Sequence, residues 1–259
     1  MVVRTRPAAL LLVLIAALAA AACGGRLLGK QYEYEEDLSL KLDGSAEMVV
    51  NASIPALVAL RGLDLDARAT RVDRDKVRAA YTSPLTEVTR VSRPWRRDGR
   101  RFIQIRIRVP DIRALSRTPP FSWSRYELTA ANGQHTFRQQ VGASALRPGT
   151  LPNVGWDGNE IVAFRLHLPS RISYHNSRDL DTNETQSPER GNILGWEQHL
   201  ADRLDGQPLS IEVRMDSQSI LHRTLWLFFG AFGAAMLLIA GLIWLTMRKG
   251  RKEEAATTP

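Results

Sequence analysis

The sequence predicts an α+β fold: mainly an antiparallel sheet of hairpins with one or two short helices, plus one C-terminal transmembrane helix. Apolar–polar alternations separated by Asp-Gly and Asn-Gly pairs recur through the middle of the chain, and this is the pattern of antiparallel hairpins. An uncharged stretch of 24 residues, 224–247, stands near the C-terminus and is long enough to cross a bilayer. With 44% hydrophobic and 24% charged residues, the composition excludes collagen-like and mostly disordered chains.

The elements of the middle region follow from these local signals. Asp43-Gly44 is a hairpin turn between two alternating segments, and Pro55 suits the first turn of a short helix. In chain order we expect strands 32–40 and 45–54, a helix 56–60 closed by Gly62, a helix 73–81 capped by Asp73, strands 87–95 and 101–109 around Asp98-Gly99, strands 123–130 and 134–141 around Asn132-Gly133, a loop 144–159, a strand 160–168, an exposed loop 178–191, and strands 193–200 and 209–215.

Residues 1–22 have the organisation of a signal peptide, with a basic start and a 15-residue apolar run at 8–22. Two interpretations stay open. Ala20 and Ala22 are the small residues that ordinary signal peptidase requires in an A-x-A site. Alternatively, the stretch resembles a bacterial lipobox, with Cys23 as the lipid-carrying first residue of the mature chain. The only cysteine directly follows the apolar run, which favours lipidation.

Residues 223–247 are the predicted transmembrane helix, with a tryptophan near each end as an interfacial anchor. Basic residues follow at once, so the positive-inside rule places the tail 248–259 in the cytoplasm. The sequence therefore predicts a single-pass protein of a bacterial cytoplasmic membrane, whose ectodomain, 23–222, lies outside the cytoplasm. If Cys23 carries a lipid, we expect both ends of the ectodomain at one leaflet.

The formal charge of +8 suggests a nucleic-acid binder, but the charge distribution and the predicted topology argue against one. The segment 24–223 carries 29 basic and 25 acidic residues, and the remaining excess lies in the terminal segments. The single cysteine excludes an intrachain disulfide. The five histidines show no metal-ligand spacing, and no nucleophile or phosphate-loop motif is present. We therefore expect no catalytic residue, no metal, no cofactor and no nucleic-acid partner.

Arginine is concentrated between Arg90 and Arg113, where the sequence has nine arginines and two aspartates. Strand alternation in 102–109 places the isoleucines on one face and the arginines on the other. Guanidinium groups bind phosphate through paired hydrogen bonds, so the cluster would take an anionic lipid or glycolipid. The alternative is a solvated sheet face in an arginine-rich chain. The candidate residues of this patch are Arg96, Arg97, Arg100, Arg101, Arg106 and Arg108.

A pattern in the last third of the ectodomain carries a family resemblance. A strand ends in Leu168-Pro169, Asn176 follows within a few residues, Trp196 stands in a further strand, and the C-terminal span comes after them. In this the chain resembles the LppM-like domain family of bacterial lipoproteins and membrane-anchored proteins. The resemblance implies an α+β envelope domain that is not an enzyme. It also implies that Pro169 ends a strand, Asn176 caps a turn and Trp196 packs.

The expected function is that of a membrane-anchored bacterial envelope protein, lipidated if Cys23 is modified. Its non-catalytic ectodomain would bind a lipid, a glycan or an envelope protein partner. Two alternatives remain: an extracytoplasmic hydrolase with a site not visible in the sequence, and a structural subunit of a membrane complex. A hydrolase would bring a histidine, a carboxylate and a nucleophile together in a cleft, whereas a binding module would show an apolar groove rimmed by arginine.

Overall fold

The computed structural model describes residues 30–146, 150 and 153–257. The predicted signal peptide and Cys23 lie outside the described residues. The strands are, in chain order, β1 (Tyr32–Leu40), β2 (Ala46–Ser53), β3 (Glu87–Val91), β4 (Trp95–Arg97), β5 (Arg100–Val109), β6 (Ser124–Ala131), β7 (Gln134–Val141), β8 (Ile161–His167), β9 (Ser170–His175), β10 (Ile193–His199) and β11 (Leu209–Ser219). The helices are α1 (Ile54–Arg61), α2 (Arg74–Tyr81), α3 (Leu200–Leu204) and α4 (Ile220–Thr257), with short 3₁₀ helices at Ile112–Arg117 and Pro119–Phe121.

The described strands form two sheets, which confirms the predicted α+β class. The first has seven strands in the order β10-β8-β1-β2-β5-β3, with β4 paired on β5, and the second has four in the order β6-β7-β11-β9. The predicted hairpins are present, and the turn residues Asp98 and Asn132 adopt φ of 49° and 52°, each followed by glycine, as type I′ turns require. One pairing differs from the hairpin pattern, because β1 and β8 run parallel.

A single apolar core lies between the two sheets. The inward residues of the first sheet, such as Leu38, Val50 and Ile105, belong to the same buried cluster as Phe137 and Val213 of the second. The predicted alternation in β5 is confirmed, because the isoleucines are buried while the alternate arginines near the end of the strand are exposed. Burying one face of each sheet in this way also fixes the strand register, because a slip by one residue would turn the apolar set outward.

Asn176 joins the two sheets instead of capping a local turn. Its Oδ1 accepts hydrogen bonds from Nε1 of Trp196 at 3.0 Å and from the backbone N–H of Glu212 at 2.9 Å. Its Nδ2 donates to the carbonyl oxygen of Ser210 at 2.8 Å. Trp196, which is buried as predicted, belongs to β10 in the first sheet, whereas Ser210 and Glu212 belong to β11 in the second.

The C-terminal helix begins directly after β11. Within the described residues, Thr224–Trp244 is the helical segment long and apolar enough to cross a membrane, and none of it is buried. The backbone N–H of Ile220 donates to the carbonyl oxygen of Pro169 at 2.9 Å, just past the end of β8. We call this end of the sheets, at Pro169 and Ile220, the anchor end.

The chain enters the ectodomain at the other end, which we call the distal end. Tyr32 pairs with Ile161 at the start of β8, and Ser39 pairs with His167 near the anchor end. At about 3.3 Å per residue, β1 separates the two ends by roughly 26 Å. The start of β1 and the start of α4 therefore lie at opposite ends of the sheet.

Replacing Asn176 tests the link between the sheets. We expect Asn176→Ala to lower the free energy of unfolding by about 2–4 kcal/mol, because it leaves the indole N–H of Trp196 and two backbone groups of β11 without their partner. Chemical unfolding of the full chain in detergent micelles, followed by tryptophan fluorescence, measures the change. Asn159→Ala, at an exposed loop position, is the control. An unchanged unfolding midpoint in Asn176→Ala would contradict the link.

Candidate functional site

The candidate arginines lie on and around the β4–β5 hairpin at the distal end. β4 pairs with the start of β5 so that Trp95 faces Phe102 and Arg96 faces Arg101. The turn is tight because Asp98 and Gly99 both adopt positive φ, which is what a two-residue hairpin connection needs. The sequence therefore fixes the position of these side chains locally, through the turn.

Arg100 does not join an exposed patch, which corrects the predicted set. Its side chain is only 7% exposed, and its Nη2 lies 2.7 Å from Oε1 of Glu33 and 3.9 Å from Oε1 of Glu160. Its Nη1 also donates to the carbonyl oxygen of Gly155 at 3.1 Å. Arg100 thus holds the loop before β8 against the start of β1, and this contact occupies its guanidinium.

Two further candidates have partners at the surface. The guanidinium carbon of Arg97 lies 4.2 Å from the ring centroid of Phe102, and the same side chain donates to the carbonyl oxygen of Tyr32. Arg108 is paired with Glu87, with 2.6 Å between Nη1 and Oε2. An exposed pair of this kind contributes little to stability, but it neutralises Arg108 locally.

The three remaining candidates, Arg96, Arg101 and Arg106, each face another arginine across neighbouring strands. Arg96 is the direct partner of Arg101, and Arg106 is the direct partner of Arg90. Within the described part of the chain, no carboxylate lies within 4 Å of any of these four side chains. Like charges directly opposite each other destabilise a sheet, so an anion bound at either pair would relieve the repulsion.

A second cluster of charge is buried between the sheets. Arg61 and Glu36 are at most 2% exposed in their side chains and form an ion pair. Tyr34 donates to Oε1 of Glu36 at 2.7 Å and accepts from Nε of Arg61 at 2.9 Å. From the second sheet, Gln139 donates to Oε2 of Glu36 at 3.3 Å. The cluster therefore ties β1, the last turn of α1 and β7 together.

Local sequence places Arg61 in this cluster. Oγ of Ser53 accepts from the backbone N–H of Ala56 at 3.1 Å and so begins α1, and Gly62 ends it with φ of 67°. Serine is a favoured N-cap, and glycine adopts the left-handed conformation at a helix end without steric cost. The two caps fix the helix length, so that Arg61 is its last residue.

Trp123 lies beside two buried guanidinium groups. The guanidinium carbons of Arg61 and Arg203 lie 3.4 Å and 5.8 Å from its ring centroid. Arg203 is fully buried and donates from Nη2 to the carbonyl oxygen of Gly142 at 2.7 Å. Burial, and the nearby charge of Arg61, lower the pKa of Arg203. The aromatic ring stabilises both cations through its face.

The buried tyrosines around this cluster stay protonated. Burial raises the pKa of Tyr81 and of Tyr126 to about 12, although the charge of Arg61 opposes the shift. Burial also raises the pKa of Tyr34 well above its ordinary value. Each phenol therefore remains neutral under physiological conditions. Tyr34 and Tyr126 donate to Glu36, which is the carboxylate in contact with Arg61.

An open, mainly apolar pocket of about 510 Å³ lies between α1, α2 and the 3₁₀ turn that follows β5. This volume is in the range of about 300–1,000 Å³ that small-molecule sites occupy. Lys76 stands at its rim, where it is paired with Asp64 at 2.7 Å. Arg61 also borders the pocket, but its side chain is buried and paired with Glu36. The apolar lining residues are Leu63, Leu65, Ala79, Ala80, Pro119 and Pro120.

One histidine has a carboxylate neighbour that the sequence did not reveal. Nε2 of His167 lies 3.0 Å from Oδ1 of Asp37, and Ser39 is the strand partner of His167. The three residues stand on the outward face of the first sheet, where Ser39 is exposed and the other two are half-buried. Among the described residues, no group of three or more His, Cys, Asp and Glu side chains is arranged to hold a metal ion.

Comparison with known proteins finds a distant structural similarity. No protein-family model matches the sequence, and no curated protein matches it. Among solved structures, the chain is similar to the NMR structure of the folded domain of LppM from Mycobacterium tuberculosis, with a TM-score of 0.39 and 10% identity over 75% of this chain and 94% of that domain. LppM gives its name to the family that the pattern around Pro169, Asn176 and Trp196 resembles. A similarity of this size extends to no ligand and to no site residue.

A double-mutant cycle tests the buried ion pair. We expect Glu36→Leu and Arg61→Met each to lower the free energy of unfolding by about 3–5 kcal/mol, because each leaves the other charge buried without its partner. The double variant should be more stable than either single variant, since it buries no unpaired charge. Unfolding of the full chain in detergent micelles measures all four proteins. Additive losses would contradict a direct coupling of the two side chains.

Proposed function

We propose that this chain is a membrane-anchored, non-catalytic binding protein of the bacterial envelope. Its ectodomain would take a lipid, a glycan or an envelope protein partner, and the described contacts favour an amphipathic anionic lipid. The observation that carries this choice is the pocket between α1 and α2, which combines an apolar wall with the exposed ammonium group of Lys76 at its rim. Such a combination matches an acyl chain joined to a phosphate headgroup.

The anchoring part of the proposal is supported by α4 and by the sequence around it. The segment Thr224–Trp244 is apolar throughout, and the basic residues after it favour a cytoplasmic tail by the positive-inside rule. The ectodomain would then lie outside the cytoplasmic membrane. A lipid on Cys23 would add a second attachment to it.

The two other hypotheses gain less support. For a hydrolase, His167 and Asp37 provide a histidine beside a carboxylate. They stand, however, on a sheet face and not in a cleft. A hydrolase also needs a nucleophile within hydrogen-bond reach of its base and a site that holds the reacting carbonyl. For a structural subunit, the small residues of α4 at Gly230, Gly233 and Gly241 would allow close helix packing. Such residues are also ordinary in membrane helices.

Filling the pocket tests the proposed function. We expect Ala80→Trp to weaken binding of fluorescently labelled phosphatidylglycerol by about tenfold or more, because the indole ring occupies space that the acyl chain would use. Titration of the full chain in detergent micelles gives the dissociation constant. Ala130→Trp, at an exposed position of β6, is the control for the added ring. If wild type binds no labelled lipid, or if both variants bind like wild type, the pocket is not a lipid site.

A further inference from the structure

The tip of the β4–β5 hairpin, residues 95–101, lies at the distal end of the ectodomain. β5 begins at Arg100 and runs to Val109, which pairs with Ala46. Ala46 in turn pairs with Leu40, on the side of the sheet where β8 ends and α4 begins. Nine steps along β5 at about 3.3 Å place the hairpin tip roughly 30 Å from the anchor end.

This separation isolates the tip from the bilayer that α4 crosses. Electrostatic attraction between exposed charges is screened over about 8 Å at physiological ionic strength. The separation of roughly 30 Å is several times larger than this screening length. When the sheets stand upright on the helix, the lipid headgroups around α4 therefore attract the tip only weakly. In that orientation the charge at the tip has no partner in the membrane of α4.

The tip also lacks compensation within the protein. Arg96 and Arg101 face each other across the hairpin, and Arg96 is exposed. In the described residues, Asp98 is the carboxylate at this turn, and it lies 3.6 Å from Nε of Arg97. The pair of Arg96 and Arg101 is thus left with its full positive charge at the far end of the domain.

Trp95 gives the tip an apolar component. This residue is 37% exposed, and its ring stacks on Phe102 with 5.9 Å between ring centroids. Outside α4, the large apolar side chains exposed to this degree in the described residues are Trp95 and Tyr174. Trp95 shares its face of the hairpin with Arg97, and Arg96 and Arg101 stand on the other face. The same turn therefore carries a ring that can enter a lipid interface and cations that can contact phosphate.

We propose that this hairpin tip docks on an anionic phospholipid bilayer other than the one that α4 crosses, so that the ectodomain bridges two apposed membrane surfaces. Charge complementarity, the exposed ring of Trp95 and the position of the tip all support a lipid surface. The entry of the chain fits the same arrangement, because Arg97 donates to the carbonyl oxygen of Tyr32. If Cys23 carries a lipid, the chain that bears it joins the ectodomain next to the docking tip.

The experiment uses the full chain with α4 inserted in nanodiscs of phosphatidylcholine. These nanodiscs are mixed with vesicles of phosphatidylcholine alone or of phosphatidylcholine with phosphatidylglycerol, and flotation on a density gradient measures how much protein rises with the vesicles. We expect flotation with the phosphatidylglycerol vesicles only. Arg96→Gln/Arg101→Gln should weaken this binding by about 10- to 30-fold, as two charges at an anionic surface predict.

The matched control is Arg90→Gln/Arg106→Gln, which removes the other like-charged pair of the same sheet with the same change in net charge. It should weaken binding by no more than a few fold, because Arg106 stands about 20 Å along β5 from the turn. Equal losses in the two double variants, or no flotation of wild type, would overturn the proposal. Ala80→Trp should float like wild type, so the hairpin proposal stands or falls separately from the pocket.

Discussion

The ion pair between Glu36 and Arg61 is the constraint on which the rest of the ectodomain depends. It lies between the two sheets, and its hydrogen bonds extend to Tyr34 on β1 and to Gln139 on β7. A buried charge is tolerated only when its partners hold fixed positions. The pair therefore sets how β1, α1 and the second sheet meet, and it places Arg61 where it both faces Trp123 and lines the pocket.

The same arrangement separates the proposed membrane attachment from the proposed binding surfaces. α4 follows β11 at one end of the sheets, whereas the β4–β5 hairpin extends from the other. The pocket beside α1 is also formed away from the anchor, since α1 follows the last residue of β2, Ser53, which pairs with Phe102 near the tip. If α4 anchors the chain and the sheets stand upright on it, these cationic and apolar surfaces face away from that membrane.

Much of the fold could be predicted from the sequence because its signals are local. Asp98-Gly99 and Asn132-Gly133 mark hairpins through backbone conformations that glycine and asparagine adopt readily. The parallel pairing of β1 with β8 joins segments far apart in the chain and leaves no local trace.

The arginine patch could be predicted only in part, because strand alternation shows which face Arg100 occupies but not that Glu33 and Glu160 cover it. Glu36 offered a signal, since the alternation of β1 places it among inward apolar residues.

We expect the ectodomain to stand with its hairpin tip away from the membrane that α4 would cross. Two single-cysteine variants test this orientation directly, Arg96→Cys at the tip and Ala131→Cys near the anchor end, each in a Cys23→Ala background with a fluorophore attached. In nanodiscs carrying a headgroup-linked quencher, we expect strong quenching at residue 131 and little at residue 96. Equal quenching at both positions would show that the tip lies on its own bilayer and would contradict the account.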